Sequence, residues 1–132
     1  MSGTKSVLDS NAIIYASQGV IDAEKLLAEK DRYSASIISY IELYAFDFDT
    51  SREKEIIDEI MGNLEIIELN NEIADQAIIY RKSATKKIKR PDAVILATAK
   101  FLGADLITDN FSDFQNIDAS VNVVALDEFR IT

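Results

Sequence analysis

Four acidic residues stand in otherwise apolar stretches of this sequence. Asp9 and Asp109 each follow a short apolar run of the kind that forms a strand buried on both faces of a sheet. Glu42 is the only charged residue between positions 33 and 46, in a predicted helix that is apolar almost all round, so we expect it to be buried. Asp92 precedes the apolar run 93–97. A buried carboxylate costs several kcal/mol unless it is paired or binds a cation. These four residues, with Asp113 just beyond Asp109, are therefore the candidates for chemistry.

Each of these acids also has a purely structural interpretation. Asp9 can cap a helix that follows it, and Glu42 can form an ion pair with a lysine or arginine. Asp92 lies in the first turn of a predicted helix, where the helix dipole favours a carboxylate by about 0.3 to 1 kcal/mol. Asp109 and Asp113 can be ordinary turn residues. The joint pattern favours a site more strongly than any single residue does.

Convergence of these acids at one edge of a sheet predicts a metal site. Carboxylates about 5 Å apart repel by about 3 kcal/mol per pair at an effective dielectric constant near 20, so such a cluster holds protons or binds cations. Ligands that are all oxygen favour Mg²⁺ first and Mn²⁺ second. Two such ions can activate a water and stabilise the leaving oxygen of a phosphodiester.

Other catalytic classes are excluded by composition. The 132 residues include no cysteine and no histidine, which removes disulfides, thiolate metal sites, cysteine nucleophiles and Ser-His-Asp triads. We expect one domain over residues 1–132, cytoplasmic and without a membrane anchor, because the first residues are polar and no apolar run is long enough to span a bilayer.

The charge is unevenly distributed along the chain. A formal net charge of −9 argues at first against nucleic acid, but positions 77–90 contain no acid. That segment holds six basic residues: Arg81, Lys82, Lys86, Lys87, Lys89 and Arg90. The cluster is either a site for an RNA backbone or an ordinary solvated helix end.

Strand-like and helix-like stretches alternate along the chain. Strands are expected at 6–8, 33–36, 64–69, 105–108 and 121–125, and helices at 10–15, 22–30, 37–46, 51–61, 70–87 and 92–102. Ser10 or Asn11 is expected to cap the first helix, and Gly103 to end the last. The alternation predicts a three-layer α/β domain whose central sheet is mostly parallel and flanked by helices.

Four sequence blocks resemble the PIN-domain ribonucleases and, within them, the VapC-type toxins of toxin–antitoxin pairs. The first two blocks are 7–11, with Asp9 and its companion Asn11, and 39–43, with Ser39 three positions before Glu42. The third is 91–99, which contains Asp92, and the fourth is 106–114. Their order and spacing resemble those of the family over nearly the whole chain.

The resemblance implies a PIN-like fold and a divalent-metal-dependent endoribonuclease. Asp9, Glu42 and Asp92 would hold Mg²⁺ or Mn²⁺, with Asp109 or Asp113 as the fourth acid. A metal-activated water would then cut the RNA. Substrate contacts are expected from eight residues: Asn11, Ser39, Thr108, Asn110, Lys86, Lys87, Lys89 and Arg90.

The resemblance also implies a homodimer and a small inhibitory antitoxin, for which the acidic surroundings of the site suit a basic segment. The amphipathic stretch 56–61 is either a dimer face or ordinary core. Two other functions stay open. One is a Mg²⁺-dependent phosphatase or phospho-acceptor domain, although the residues after Asp9 are Ser10 and Asn11 and not a second acid. The other is a non-catalytic PIN-like interaction module.

Overall fold

The computed structural model describes residues 5–28, 32–83 and 87–131. Its centre is a parallel sheet in the order β3-β2-β1-β4-β5. The strands are β1 (Lys5–Leu8), β2 (Arg32–Ser36), β3 (Glu65–Ile67), β4 (Asp105–Thr108) and β5 (Val123–Ala125). The helices are α1 (Ser10–Ser17), α2 (Ala23–Ala28), α3 (Ile37–Tyr44), α4 (Ser51–Met61), α5 (Asn71–Ser83), α6 (Arg90–Leu102) and α7 (Phe111–Phe114), with a 3-10 helix at Leu126–Phe129.

Helices cover both faces of the sheet. Successive side chains of a strand point to opposite faces, so Val7 joins the apolar cluster beside α5 and α6 whereas Leu8 joins the cluster beside α1 and α4. Leu106 and Ile107 of β4 divide in the same way. The predicted three-layer α/β fold with a parallel central sheet is therefore confirmed.

The ends of several helices follow local sequence signals. Thr50 caps α4 through the backbone N–H of Glu53, and Asn70 caps α5 through that of Ile73. Helix α6 has Pro91 in its first turn and ends at Gly103, whose φ of 63° lies in the left-handed region that favours glycine. The cap expected at Ser10 or Asn11 was misplaced by one or two residues, because the carboxylate of Asp9 accepts a hydrogen bond from the N–H of Ala12.

Two expectations about helix faces were resolved by packing. In α4, Ile57, Ile60 and Met61 are buried in the core and Ile56 packs against it, so this stretch is core rather than a dimer face. Helix α3 was expected to be apolar almost all round and buried. Only Ser39 and Leu43 are buried in it, whereas Ile41 is 57% exposed.

The strand order creates one point where the chain direction across the sheet reverses. Connections from β1 lead to β2 and β3 on one side, and β4 and β5 lie on the other side. Ligands of open α/β sheets bind outside the carboxyl ends of the strands at such a point, here between β1 and β4. Within the described part of the chain, no helix is long and apolar enough to cross a bilayer.

Candidate metal centre

Asp9 stands directly after β1, at the reversal point of the sheet. Its backbone N–H donates to the carbonyl of Ile107 at 3.2 Å, which ties it to β4. One carboxylate oxygen accepts from the N–H of Ala12 at 3.0 Å, and the other accepts from the hydroxyl of Thr108. The side chain is only 5% exposed. Asp9 is thus both a helix cap and a fixed, buried carboxylate.

Thr108 connects the end of β4 to this carboxylate. It is fully buried, and its Oγ1 accepts a hydrogen bond from the backbone N–H of Asn110 at 3.0 Å while it donates to Asp9. Ser39 is also fully buried, and its Oγ has no hydrogen-bond partner among the described residues. Neither hydroxyl can contact RNA in this conformation, so the substrate contacts predicted for Ser39 and Thr108 do not fit their burial. Thr108 positions Asp9 instead.

Asp109 follows β4 and is held by the first turn of α1. The Nδ2 of Asn11 lies 3.3 Å from each carboxylate oxygen of Asp109. Asn11, predicted as a substrate contact, therefore orients an acid. Asn110 is exposed and is the residue before α7, and its described hydrogen bond to the site is made by its backbone.

Asp92 reaches the same edge from the first turn of α6. It is half-buried, and its pKa is raised. Burial is the main cause, the negative charges of Asp113 and Asp109 add to it, and the positive charge of Lys89 opposes it. Asp92 thus lies within electrostatic reach of both candidates for the fourth acid.

Glu42 also belongs to this group, although its surroundings differ from those predicted. Partial burial and the charge of Asp92 raise its pKa. The residue as a whole is exposed, because the neighbouring apolar side chains of α3 face outward rather than enclosing it. The predicted burial of Glu42 was therefore wrong. Among the described residues, no ion pair involves it.

Asp9 shows most clearly how poorly this negative charge is compensated. Its pKa is raised from 3.8 to about 7, chiefly by burial. The hydrogen bonds from Thr108 and Ala12 oppose the rise, and the charges of Asp109 and Asp92 add to it. A carboxylate that resists ionisation at neutral pH despite two donors is a carboxylate that a cation would stabilise.

The acids share one electrostatic environment, but they do not yet form a chelate. Among the described residues, no three acidic side chains are grouped so that they could hold one ion in this conformation. The donor set nonetheless suits a hard cation, because it is all oxygen and carries more negative charge than its neighbours balance.

The basic residues before Asp92 have different roles in the structure. Arg81 donates to the carbonyl of Ile88 at 2.6 Å and so fixes the chain that leads into α6. Lys87, Lys89 and Arg90 are exposed at the start of α6. Lys86 lies outside the described residues.

Comparison with known proteins identifies this arrangement. The family model of the PIN domain matches residues 6–120. The chain belongs to the PIN-domain family. No curated protein matches the sequence.

Solved structures resemble this PIN domain over nearly its whole length. A toxin–antitoxin complex from Klebsiella pneumoniae contains a chain with 26% identity and a TM-score of 0.75, and the match covers 96% of this chain and 99% of that one. VapBC-1 from nontypeable Haemophilus influenzae is 24% identical, with a TM-score of 0.73 and coverage of 94% and 99%. VapBC2 from Rickettsia felis, bound to a DNA fragment from the promoter, is 22% identical, with a TM-score of 0.73 and coverage of 92% and 98%.

Sequence patterns did not draw attention to a second group of residues beside this centre. Tyr15, Phe111, Asp127 and Arg130 line a pocket that also includes Asp109. They are scattered over more than 100 positions, and none interrupts an apolar run in the way Asp9 does. Phe111 lies within the fourth block, but its exposure is seen only in the structure.

Proposed function

We propose that this PIN domain is a divalent-metal-dependent endoribonuclease and the toxin of a toxin–antitoxin pair. The observation that carries the proposal is Asp9, buried and with its pKa raised to about 7 beside Asp109 and Asp92. Such an arrangement costs stability, so its retention is explained best by a cation that the acids bind. The toxin assignment is supported by the likeness to the Klebsiella pneumoniae complex.

Asp9, Glu42, Asp92 and either Asp109 or Asp113 would hold the ion or ions. The carboxylates repel one another without a counter-charge, so the open spacing in this conformation is what electrostatics favours. Mg²⁺ is the expected ion and Mn²⁺ the alternative, because every ligand is oxygen. When bound, the cation would activate the attacking water and stabilise the leaving 3′-oxygen of the RNA.

The chain's own residues prepare this site. Thr108 and the N–H of Ala12 fix the orientation of Asp9, and Asn11 fixes that of Asp109. Fixed ligands lose less side-chain freedom when an ion binds, which is the usual contribution of groups that surround a metal site. Lys87, Lys89 and Arg90 would attract the RNA backbone toward Asp92.

Two partners complete the proposal. A small antitoxin with a basic segment would suit the acidic edge, since the chain carries a net charge of −9. A second copy would dock on the outward face of α3, where Tyr40, Ile41 and Tyr44 are exposed. The substitution Ile41→Glu should reduce the molar mass measured by light scattering, whereas Phe101→Glu, at an exposed aromatic of α6, should not.

The decisive test is cleavage of labelled structured RNA with Mg²⁺ or Mn²⁺, against EDTA. Asp9→Asn should abolish cutting, and Asp75→Asn, the same change at an exposed acid of α5, should retain it. Cutting by identically purified protein that survives both EDTA and Asp9→Asn would contradict the proposal. Transfer of phosphate to Asp9 from a small phosphodonor would favour the phospho-acceptor alternative instead.

A further inference from the structure

A pocket opens directly beside the acidic centre. It has a volume of about 450 Å³, and its lining includes Tyr15, Asp109, Phe111, Asp127 and Arg130. Asp109 belongs to both places, because it lines the pocket and influences the pKa of Asp9 and Asp92. Whatever occupies the pocket therefore lies next to the acids.

The 3-10 helix and Arg130 on one side of the pocket are held by backbone hydrogen bonds to other parts of the domain. The 3-10 helix Leu126–Phe129 follows β5 and leads into Arg130. The N–H of Asp22 donates to the carbonyl of Phe129 at 2.8 Å, and the N–H of Ile131 donates to that of Val20 at 3.1 Å. These two bonds bracket Arg130 and hold its backbone in place.

Arg130 and Asp127 form an ion pair in the lining of the pocket. The Nε and one terminal nitrogen of Arg130 bind the same Asp127 oxygen, Oδ1, at 2.9 and 2.7 Å. Within the described residues, Arg130 Nη1 and Asp127 Oδ2 make no hydrogen bond, and both side chains are more than half exposed. A guanidinium donor and a carboxylate acceptor on paired residues can hydrogen-bond to the edge of a nucleobase.

The pocket also offers an aromatic surface. Phe111, the first residue of α7, is 38% exposed and Tyr15 is half-buried. Bases of single-stranded nucleic acid stack on such rings, and one stacking contact contributes about 1 to 3 kcal/mol. The carboxylates of Asp109 and Asp127 outnumber the single guanidinium, so the pocket favours an uncharged ring over a phosphate.

We infer that this pocket binds a nucleobase of the RNA next to the scissile phosphate and sets the base preference at that position. The inference rests on the proposed ribonuclease function. Phe111 would stack on the base, and Asp127 with Arg130 would read its edge.

The first test is the rate of cutting on short RNAs that carry each of the four bases at the positions flanking the cut. Wild-type protein should prefer one base at one position. Phe111→Ala should lower kcat/KM by about tenfold on the preferred RNA, the loss expected from one stacking contact. Asp127→Asn should reduce the difference in kcat/KM between RNAs that carry different bases at this position. The matched changes Phe101→Ala and Glu128→Gln, at an exposed phenylalanine and at an exposed neighbour of Asp127, should alter neither result.

The second test reads binding without catalysis. In an Asp9→Asn background, RNA with 2-aminopurine at the preferred position should lose fluorescence on binding, because stacking quenches this base. Adding Phe111→Ala should abolish the quenching and Phe101→Ala should preserve it. A thermal melt of each variant tests whether it is folded. If Phe111→Ala does not fold, Asp127→Asn still tests the pocket independently.

The two proposals fail in different ways. If wild-type protein cuts no RNA, the ribonuclease proposal fails, and absence of quenching in the Asp9→Asn background at every position of 2-aminopurine then overturns the pocket as well. If wild-type protein cuts RNA, but Phe111→Ala and Asp127→Asn keep its base preference and quenching, only the pocket inference is overturned.

Discussion

Acids at the two ends of helix α6 differ in how their charge is compensated. At the first turn, Asp92 faces Asp9, Asp109 and Asp113, and burial with like charges raises its pKa. The acid near the last turn is Asp118, whose Oδ2 lies 3.8 Å from Lys100 Nζ.

Asp118 is surrounded by donors. It accepts hydrogen bonds from the hydroxyl of Tyr80 at 2.6 Å and from the hydroxyl and N–H of Ser120 at 2.6 and 2.9 Å. Burial acts to raise its pKa, but these hydrogen bonds and the charge of Lys100 outweigh it, and the pKa is lowered. The charge of Asp118 is balanced by neighbouring donors and Lys100, whereas the charge of Asp9 is not balanced by its neighbours.

The largest expected difference between these two ends is in catalysis. If the proposed ion is bound there, Asp9→Asn should reduce RNA cleavage by about 10² to 10³-fold or more, because it removes a ligand of an ion that would contribute several kcal/mol to the transition state. Asp118→Asn should change the rate by no more than a few-fold. If both variants are folded and lose the same initial cleavage rate, Asp9 has no larger role in catalysis than Asp118.

Stability of the metal-free protein should change with pH at Asp9. Its pKa is about 7 in the folded protein against 3.8 in the unfolded chain, so folding is favoured by the bound proton below pH 3.8 and that contribution is lost as pH rises through 7. The difference corresponds to an upper limit of about 4 kcal/mol.

Asn at this position carries no charge to bury. In EDTA at pH 8, urea unfolding should find Asp9→Asn more stable than wild type by about 2 kcal/mol, with the difference shrinking toward pH 4. A variant less stable than wild type at pH 8 would mean that the charge of Asp9 is already compensated.

Asp118 should behave in the opposite way. Its lowered pKa means that its contribution is present above the unfolded value of 3.8 and is lost as pH falls through the folded pKa. Asp118→Asn should lower the free energy of unfolding by about 1 to 2 kcal/mol at pH 7, the cost of weakening charge-assisted hydrogen bonds. The same urea titrations measure this. No loss of stability would show that the donors around Asp118 contribute little.

Binding of a divalent ion should reduce the difference in charge compensation between Asp9 and Asp118. Mg²⁺ or Mn²⁺ at about ten times its Kd stabilises the folded state by about 1.4 kcal/mol, which raises Tm by a few degrees. The rise should occur in wild type and Asp118→Asn but not in Asp9→Asn. If millimolar Mg²⁺ or Mn²⁺ does not change the Tm, the result would favour the non-catalytic PIN-like interaction module.

The basic residues at the start of α6 should produce the smallest effect. The triple substitution of Lys87, Lys89 and Arg90 by alanine should weaken RNA binding several-fold near physiological salt. Each lost contact with a single-stranded phosphate should flatten the salt dependence by about 0.7 in log Kd per log salt. Fluorescence anisotropy over a salt series measures both, and an unchanged slope would assign these residues to ordinary solvation of a helix end.

Much of the fold was predictable from local patterns. The apolar runs before Asp9 and Asp109 placed both acids at strand ends, and Pro91 with Gly103 marked the limits of α6. The predicted burial of Glu42 was wrong for a reason that no local pattern contains. Apolar residues all round a helix indicate burial only if neighbouring elements cover every face, and α3 has one face uncovered.

The sequence by itself determined the kind of chemistry available, because a chain without cysteine or histidine has chiefly carboxylates to offer a metal. It also determined the alternation of strands and helices through hydrophobic periodicity. Only the tertiary structure decided that Asp9, Asp92 and Asp109 share one electrostatic environment, and that Thr108 and Asn11 hydrogen-bond to acids of the site. Burial and charge coupling depend on distances between residues that are far apart in the chain, and those distances are set by how the layers pack.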